Sequence, residues 1–580
     1  AARATAVPQF ILPDDAEKQR LIRLFSQIND LYKQMALPTT LQQQLLEDYL
    51  DIVFCYGKEY AGLADSQLKR AWDALYQLPT PHTRQMAKEI QLRQFSIIRA
   101  MYNAKCKKYP YPTQMIVLLC AAYLPDNLLF KLDTGEGKSI AMALVAVWLF
   151  LTTPNKKSAY MTSRNVDLGR QDYIDKQNRD FIRAFGIPCS DDLIRPSTPR
   201  EEYDAVGIYY LASFPGLSLK QSLHSFIYND KKFSDGYLLI DEVDDALLND
   251  LTLFNLTINA ENVAAQHDAK SWIYPVINTF YDTYKDSDLL VDEYALADKL
   301  RATLFAAAEN AVGQKQLVAH LSHDTLIKYF YAADAATLML SGVEYVIGKP
   351  KNGCSRAVPL RKGEPQDESI FTDNDVHSCL HARLQEQNLG KPPFRALPEN
   401  IYIGSATAKT VTDLCKQHRI IALSATPGTW SEVIEMRTKH NMLPLQIQPY
   451  NPNRRTIHPL ALVEDDATLI NEIISIIRSR AIGVFALQQP ILIYCRDGRV
   501  AKDYYEKLRR HFLVNIQLIN GEESEEERAT LIKAADQAGF ITVTTLLLQR
   551  GVDFKPQATH GGCLIQTFLA HERDTLQIMG

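Results

Sequence analysis

The sequence has little of what marks secreted, membrane-spanning or strongly nucleic-acid-binding proteins. Its 9 cysteines among 580 residues are scattered and show no paired spacing of the kind that holds a metal, so reduced thiols are expected rather than disulfides. The most apolar run, residues 140–151, is too short to cross a bilayer, and residues 1–5 lack the apolar core of a secretory signal. The formal net charge of −5 argues against a strongly basic surface for nucleic acid. We therefore expect a globular protein of the cytoplasm.

A glycine-rich turn lies between two apolar segments, at residues 132–139. The run 128–130 indicates a buried strand, and the run 140–149 indicates a buried helix. A glycine turn between a strand and a helix presents backbone N–H groups and the helix dipole to an anion, so this turn predicts a phosphate-binding loop. In such a loop Lys138 would reach the terminal phosphates of a nucleotide, and the Ser139 hydroxyl would hold Mg²⁺.

Two neighbouring acids follow a second apolar strand. Residues 237–240 are apolar, and Asp241 and Glu242 come directly after them. Since consecutive strand residues point to opposite sides, we expect Asp241 to join the Mg²⁺ shell and Glu242 to polarise the attacking water. A later apolar strand ends in Ser-Ala-Thr at residues 424–426, whose hydroxyl groups are predicted to hydrogen-bond this acidic cluster.

Two further parts of the chain are predicted to complete a nucleotide site. An aromatic and proline-rich turn at residues 109–114 precedes the phosphate loop, and its last residue, Gln114, can donate to and accept from the edge of adenine. Near the end of the chain, Arg550 and Asp553 follow another apolar strand. We expect Arg550 to face the phosphates across a domain cleft and Asp553 to bind the ribose or that arginine.

The order of predicted elements divides the chain into four parts. Residues 1–108 are expected to form an N-terminal helical region. Strands alternate with helices over 109–250 and 386–445, which predicts a first parallel-sheet domain with helices on both faces. Residues 251–385 break this rhythm and are expected to form an inserted α+β domain that contacts a substrate or partner, or serves as a neutral spacer. Residues 446–580 are expected to form a second parallel-sheet domain, so the predicted fold class is α/β.

These motifs, in this order, resemble those of superfamily 2 helicase-type motors. In detail they resemble SecA, the ATPase motor of bacterial preprotein translocation. Residues 134–139 are similar to the TGEGKT loop of that family, with Ser139 in place of threonine. Residues 241–244 match its DEVD, and residues 550–553 match its RGTD apart from Val552.

Other segments extend the resemblance over about residues 86–580 and also show departures. Gln114 stands where the family has its adenine-reading glutamine. Residues 345–347, followed by 373–377, resemble the return from the family's preprotein cross-linking domain. The Ser-Ala-Thr of residues 424–426 replaces the family's Thr-Gly-Thr and is more like that of helicases, and the inserted block is shorter than in SecA.

The resemblance implies two RecA-like nucleotide-binding domains that hold ATP and Mg²⁺ between them and move a polypeptide. It implies catalytic roles for Lys138, Glu242 and Arg550, and metal-ligand roles for Ser139 and Asp241. The residues that it places around the nucleotide are Gln114, Thr134, Gly135, Glu136, Gly137, Lys138, Ser139 and Asp553. The implied partners are ATP or ADP, a polypeptide or protein partner, and a translocon-like protein that would bring the motor to the membrane surface.

Two other interpretations stay open at this point. The Ser-Ala-Thr of residues 424–426 fits an RNA helicase or RNA-stimulated ATPase, against which stand the acidic net charge and Glu136. The divergent insertion and the N-terminal helices fit a bacterial effector that uses the motor fold to bind a partner inside a host cell. Residues 577–580 are similar to the opening of the last motor motif, and the chain begins without methionine. We therefore expect a piece of a longer protein whose ATP hydrolysis is weak.

Overall fold

A computed structural model shows two compact units. The first comprises residues 1–254 and 406–459 with Gly580, and the second comprises residues 255–405 and 460–579. The residues that the structure describes are 13–31, 35–78, 81–163, 169–195, 198–203, 205–212, 236–244, 254–259, 270–308, 312–351, 353–361, 364–365, 374–387, 393–394, 400–406, 418–450, 456–482, 486–487, 489–512, 515–548, 556, 561–570 and 575.

The first unit is built on an eight-stranded sheet. Its strands are β1 (Asn29–Asp30), β2 (Met35–Ala36), β3 (Asn127–Lys131), β4 (Ala159–Thr162), β5 (Ile208–Leu211), β6 (Gly236–Asp241), β12 (His418–Ser424) and β13 (Met442–Gln446). Their order is β2-β1-β13-β3-β12-β6-β4-β5; the pairs from β13 to β5 are parallel, and β1 is antiparallel to both neighbours. A parallel sheet is covered on both faces, which is why its strands are apolar runs rather than alternating ones.

Helices cover this sheet and share its hydrophobic core. They are α1 (Asp15–Ser26), α2 (Thr39–Leu50), α3 (Gly57–Tyr60), α4 (Asp65–Tyr76), α5 (Arg84–Cys106), α6 (Pro112–Tyr123), α7 (Lys138–Thr152) and α8 (Asn178–Ala184). A further helix, α14 (Trp430–His440), packs beside β13. α7 is buried from Ser139 to Leu151, so the apolar run after the glycine-rich turn is a core helix as predicted. Of the N-terminal helices, α5 packs on it, and the rings of Phe95 and Trp148 lie 4.2 Å apart. The region predicted to be helical therefore belongs to the core of the first unit.

The second unit contains a four-stranded parallel sheet. Its strands are β16 (Ile491–Tyr494), β17 (Asn515–Ile519), β18 (Phe540–Thr544) and β19 (Cys563–Gln566), in the order β17-β18-β16-β19. The helices that accompany it are α15 (Asp466–Ser479), α16 (Gly498–Arg509) and α17 (Glu525–Ala535), and β14 (Ala481–Ile482) pairs with β15 (Ala486–Leu487). This sheet agrees with the parallel-sheet character predicted for residues 446–580.

The remainder of the second unit is a mixed α and β region with its own core. Its helices are α9 (Ile273–Tyr284), α10 (Glu293–Ala307), α11 (Val312–His320), α12 (His323–Leu338) and α13 (Asn374–Gln387). Its strands are β7 (Phe254–Asn259), paired with β11 (Asn400–Ala406), and the antiparallel set β8 (Tyr345–Lys351), β9 (Cys354–Arg361) and β10 (Glu364–Pro365). This composition matches the α+β character predicted for the insertion.

The two parallel sheets confirm the predicted α/β fold class. One predicted boundary differs from the structure, because the second domain was expected to start at residue 446. Gln446 instead ends β13, and Ile447, which is 2% exposed, lies in the first core. β13 contains Pro444, a residue that argues against a strand when only the sequence is known. The other predicted domain boundaries stay predictions.

Candidate nucleotide-binding site

The glycine-rich loop joins the carboxyl end of β3 to the first turn of α7. Gly135 and Gly137 have φ angles of +89° and +76°, a region that glycine enters at little cost. A Cβ atom on Gly137 would lie 2.3 Å from Gln114 Nε2, whereas one on Gly135 would meet nothing within 4 Å. The start of the loop is tied to β12, because Leu132 N donates a 3.0 Å hydrogen bond to Ser424 O. The loop therefore brings backbone and helix N-terminus together as an anion site requires.

Lys138 contacts the acidic pair at the end of β6. Its Nζ lies 3.6 Å from Glu242 Oε1, and the two side chains are only 9% and 8% exposed. Burial alone would lower the pKa of Lys138, but the surrounding carboxylates, with Glu242 the strongest, raise it above its ordinary value. The lysine is therefore charged, and it joins the loop to the acids across β12, which lies between β3 and β6.

Asp241 and Glu242 stand in different settings, as two separate roles require. Asp241 Oδ1 accepts a 2.9 Å hydrogen bond from Glu242 N, and burial raises the pKa of Asp241 to about 7 despite the opposing charge of Lys138. Glu242 has a φ of +52°, which a residue other than glycine adopts at a cost of about 1–3 kcal/mol. This turn ends the strand and directs the Glu242 carboxylate towards the loop, where it contacts Lys138.

The hydroxyl groups after β12 contact the acidic cluster, as the sequence predicts. Ser424 Oγ donates to Asp244 Oδ1 at 2.6 Å, and Thr426 Oγ1 donates to Asp244 Oδ2 at 3.4 Å. Ser424 Oγ also accepts from Thr426 N at 3.0 Å. Asp244 and Ser424 are fully buried, so the end of β12 is held directly against the acids that follow β6.

Gln114, at the start of α6, and Glu136, in the glycine-rich loop, link these two segments by hydrogen bonds. Gln114 Nε2 donates to Glu136 O at 2.8 Å, and Gln114 Oε1 accepts from Tyr111 N at 2.9 Å. Glu136 Oε2 accepts from Thr113 Oγ1 at 2.8 Å and from Tyr450 N at 3.2 Å. Both side chains are buried and hold the first turn of α6 against the loop. Their predicted contacts with adenine and phosphate stay predictions.

Three residues of this site carry no recognisable motif, and the sequence analysis missed them. Lys176 Nζ lies 3.3 Å from Ser139 Oγ and 2.8 Å from Asp172 Oδ1. Tyr450, besides its bond to Glu136, stacks its ring on that of Tyr111 with centroids 6.1 Å apart. For Asp172 and Lys176, the available sequence signal was an acid and a lysine four residues apart after β4. Tyr450 is distant in sequence and offered none.

The donor atoms of the site suit a magnesium ion that is bound together with phosphate. Ser139 and Asp241 offer hydroxyl and carboxylate oxygens, the hard ligands that Mg²⁺ prefers, and Mg²⁺ commonly takes its remaining ligands from phosphate and water. Asp241 is 4% exposed and Ser139 is 5% exposed, so both would hold the ion in a largely dry setting. The two predicted residues from the second block, Arg550 and Asp553, lie outside the described residues.

The fold and this site define a protein of the helicase-type motor class. The family model described as the SecA DEAD-like domain matches residues 32–453. That match covers most of the chain, and the chain belongs to this family. Within the ranges that the structure describes, no helix combines the length and the apolar character needed to cross a membrane.

Individual relatives are distant. The chain is 22% identical over 499 residues to the protein translocase subunit SecA of Mycoplasmoides gallisepticum, covering 86% of this chain and 52% of that protein. It is 23% identical over 560 residues to the protein translocase subunit SecA 2 of Streptococcus sanguinis, covering 93% of this chain and 65% of that protein. The chain thus spans between half and two thirds of the length of these curated relatives. A structure of S. cerevisiae Dbp5 bound to RNA and ADP BeF3 overlays with a TM-score of 0.36 at 12% identity, over 83% of this chain and 89% of that one. An overlay this loose decides nothing about the ligand.

Proposed function

We propose that this protein is the ATPase part of a SecA-like motor, which binds Mg²⁺-ATP at the glycine-rich loop and hydrolyses it to move a polypeptide. The observation that carries the proposal is the buried contact of 3.6 Å between Lys138 Nζ and Glu242 Oε1. It joins the proposed phosphate-binding lysine, after β3, to the acid that would act on water, after β6; the two strands belong to one parallel sheet and are separated by β12. Such a pairing of loop and carboxylate suits phosphoryl transfer, which depends on positioning and charge stabilisation.

Each residue has a defined part in the proposed reaction. Lys138 and the loop N–H groups bind the terminal phosphates, and Ser139 and Asp241 hold Mg²⁺, which neutralises phosphate charge. Glu242, whose carboxylate is released when Lys138 turns to the phosphates, orients the attacking water. Asp244 carries a change at these acids to β12 through Ser424. The proposed roles of Arg550, as a charge-stabilising cation, and of Asp553, as a nucleotide contact, rest on the sequence alone.

Replacement of the proposed water-orienting acid tests the reaction. In Glu242→Gln the full chain should still bind Mg²⁺-ATP, while its turnover should fall by about 10²- to 10⁴-fold, as expected when a group that acts on a proton is lost. Glu435→Gln is the matched control, because Glu435 pairs with Lys439 on an exposed face of α14. Full turnover in Glu242→Gln would contradict the assignment.

The polypeptide substrate is proposed from the relatives, which are named as protein translocase subunits. An RNA-stimulated ATPase is the second candidate, because the Ser-Ala-Thr of residues 424–426, whose Ser424 hydroxyl donates to Asp244, is helicase-like. ATP turnover of the full chain should rise with an unfolded polypeptide. Strong, salt-sensitive stimulation by RNA instead would favour the helicase.

A stable protein partner, without stimulation of ATP turnover by polypeptide or RNA, would favour the effector. Under the lead proposal the protein acts in the cytoplasm or at the membrane surface.

A further inference from the structure

A second lysine reaches the proposed metal site from outside the sequence motifs. Lys176 follows the π-helical turn Gln171–Asp175, and its Nζ lies 3.3 Å from Ser139 Oγ and 2.8 Å from Asp172 Oδ1. The Lys176 side chain is 20% exposed and that of Asp172 is 1% exposed. The ammonium group therefore donates to the hydroxyl oxygen that is the proposed ligand of Mg²⁺.

Asp172, which holds this lysine, is itself fixed by neighbouring elements. Its Oδ2 accepts from Tyr210 OH of β5 at 3.5 Å, and its backbone oxygen accepts from Asn178 Nδ2 of α8 at 2.7 Å. Burial raises the pKa of Tyr210 well above its ordinary value, so the phenol remains a donor. Because Asp172 is anchored on two sides, Lys176 is held at Ser139 rather than left to move in solvent.

The two lysines contact different side chains of the site. Lys138 faces Glu242, and Lys176 faces Ser139 and Asp172. A magnesium ion bound to Ser139 Oγ would sit about 2.1 Å from that oxygen. Two cations that close to one oxygen repel each other in a partly buried setting, so binding of Mg²⁺ at Ser139 Oγ would favour departure of the ammonium group.

We propose that Lys176 is a resident cation at the magnesium position. In the absence of Mg²⁺ its ammonium group takes the Ser139 hydroxyl and supports the phosphates of a bound nucleotide; Mg²⁺ must displace it. This inference rests on the proposed function, because it takes Ser139 to be a metal ligand. Its consequence is that the protein binds nucleotide with a weaker dependence on Mg²⁺ than the loop and acids alone would give.

The test measures binding of a fluorescent ADP derivative to the full chain, first in EDTA and then across a magnesium titration. For Lys176→Gln we expect affinity in EDTA to fall by roughly tenfold, because a cation beside the phosphates is lost. The Mg²⁺ concentration for half-maximal binding should fall by roughly tenfold as well, because the competing cation is gone. If Lys176 had only a structural role, Lys176→Gln would weaken nucleotide binding both in EDTA and in the presence of Mg²⁺.

Three further variants keep the result interpretable. Lys176→Arg should behave like the wild type in both arms because it keeps the charge. Lys439→Gln is the matched control, since Lys439 also pairs with an acid four residues before it, Glu435, on an exposed face of α14. If loss of the lysine alone unfolds the protein by leaving Asp172 without its ion-pair partner, the double variant Asp172→Asn with Lys176→Gln removes both charges and should show the same two changes.

Each outcome decides the inference. Weaker binding in EDTA together with a lower Mg²⁺ concentration for half-maximal binding supports the inference. Unchanged binding, or weaker binding both in EDTA and with Mg²⁺, overturns it. If the wild type binds no nucleotide in either arm, or if Lys138→Ala binds as well as the wild type, the proposed function itself fails and this inference falls with it. Normal wild-type binding with an unresponsive Lys176→Gln overturns only the role of Lys176.

Discussion

At Gly137, both the backbone conformation and the packing of a neighbouring side chain favour glycine in the glycine-rich loop. Its φ of +76° suits glycine, and the space beside it is filled by the amide of Gln114. That amide cannot move freely, because Nε2 donates to Glu136 O and Oε1 accepts from Tyr111 N. A methyl group at residue 137 would therefore meet a neighbour whose displacement breaks two hydrogen bonds, one of them buried.

Gly137→Ala should lower the melting temperature of the full chain and weaken nucleotide binding. The left-handed backbone costs an alanine about 1–2 kcal/mol, and each lost hydrogen bond to Gln114 adds about 1 kcal/mol. Gly62→Ala is the control, because Gly62 has a φ of +74° and a Cβ there would meet nothing within 4 Å. Thermal melting of both variants checks the prediction; equal losses at the two positions would show that Gln114 yields without cost.

At this scale, sequence spacing was enough to predict the strand–loop–helix unit that carries Lys138 and Ser139 and the strand end that carries Asp241 and Glu242, whose roles stay predictions. It could not identify Lys176, whose approach to Ser139 depends on how the turn after β4 folds against α7. Nor could it show that Gln114 and Glu136 hydrogen-bond protein groups, since their partners include the backbone of Tyr450, more than three hundred residues along the chain.

Two histidines of α13 bind the backbone of β9 in the second unit. His377 Nε2 donates to Ala357 O at 2.9 Å, and His381 Nε2 accepts from Ala357 N at 2.9 Å. The ring centroids lie 4.2 Å apart and both rings are buried. Together the two side chains bond both the N–H and the C=O group of Ala357, as a neighbouring strand would. Burial, followed by the charge of His381, lowers the pKa of His377 well below its ordinary value.

A lower pH should therefore destabilise the contact between α13 and β9. A histidine whose pKa is lower in the folded state binds fewer protons there than in the unfolded state, so stability is present above the unfolded pKa of about 6.5 and is lost as pH falls below it. The resulting loss in the free energy of unfolding is at most about 1.4 kcal/mol for each pH unit. Hydrogen exchange of β9 should speed up between about pH 6.5 and 5, beyond the intrinsic effect of pH on exchange.

Substitution separates this effect from general acid destabilisation. His377→Gln keeps a donor for Ala357 O without a group that titrates, so the extra pH dependence of β9 should shrink. His320→Gln should not change it, because His320 is exposed and bonds only within α11, to Gln316 O. An unchanged pH dependence in His377→Gln would contradict this account.

Whole elements were predictable where they are long and strongly apolar, as β3, β6 and α7 are. The short strands β1 and β2 were missed because two residues carry no periodicity, and β13 was missed because of Pro444. These three strands extend the sheet beyond β3, and of the three only β13 lies near the expected boundary at residue 446.

At the scale of the whole molecule, alternation of strands and helices was enough to predict the α/β class and the mixed character of the insertion. It did not predict that residues 255–405 and 460–579 form one compact unit, because that grouping depends on contacts between distant segments. The described part of the candidate site lies entirely in the first unit. The family match likewise falls mainly on that unit and the insertion within it.

The central claim, that this unit binds Mg²⁺-ATP through the glycine-rich loop, is tested most directly by calorimetric titration of Mg²⁺-ATP into the full chain and into Lys138→Ala. The wild type should bind, and Lys138→Ala should lose at least about tenfold in affinity, because an ionic contact to phosphate is worth about 1.5–3 kcal/mol. Lys105→Ala should bind as the wild type does. Equal affinity in Lys138→Ala and the wild type would contradict the account.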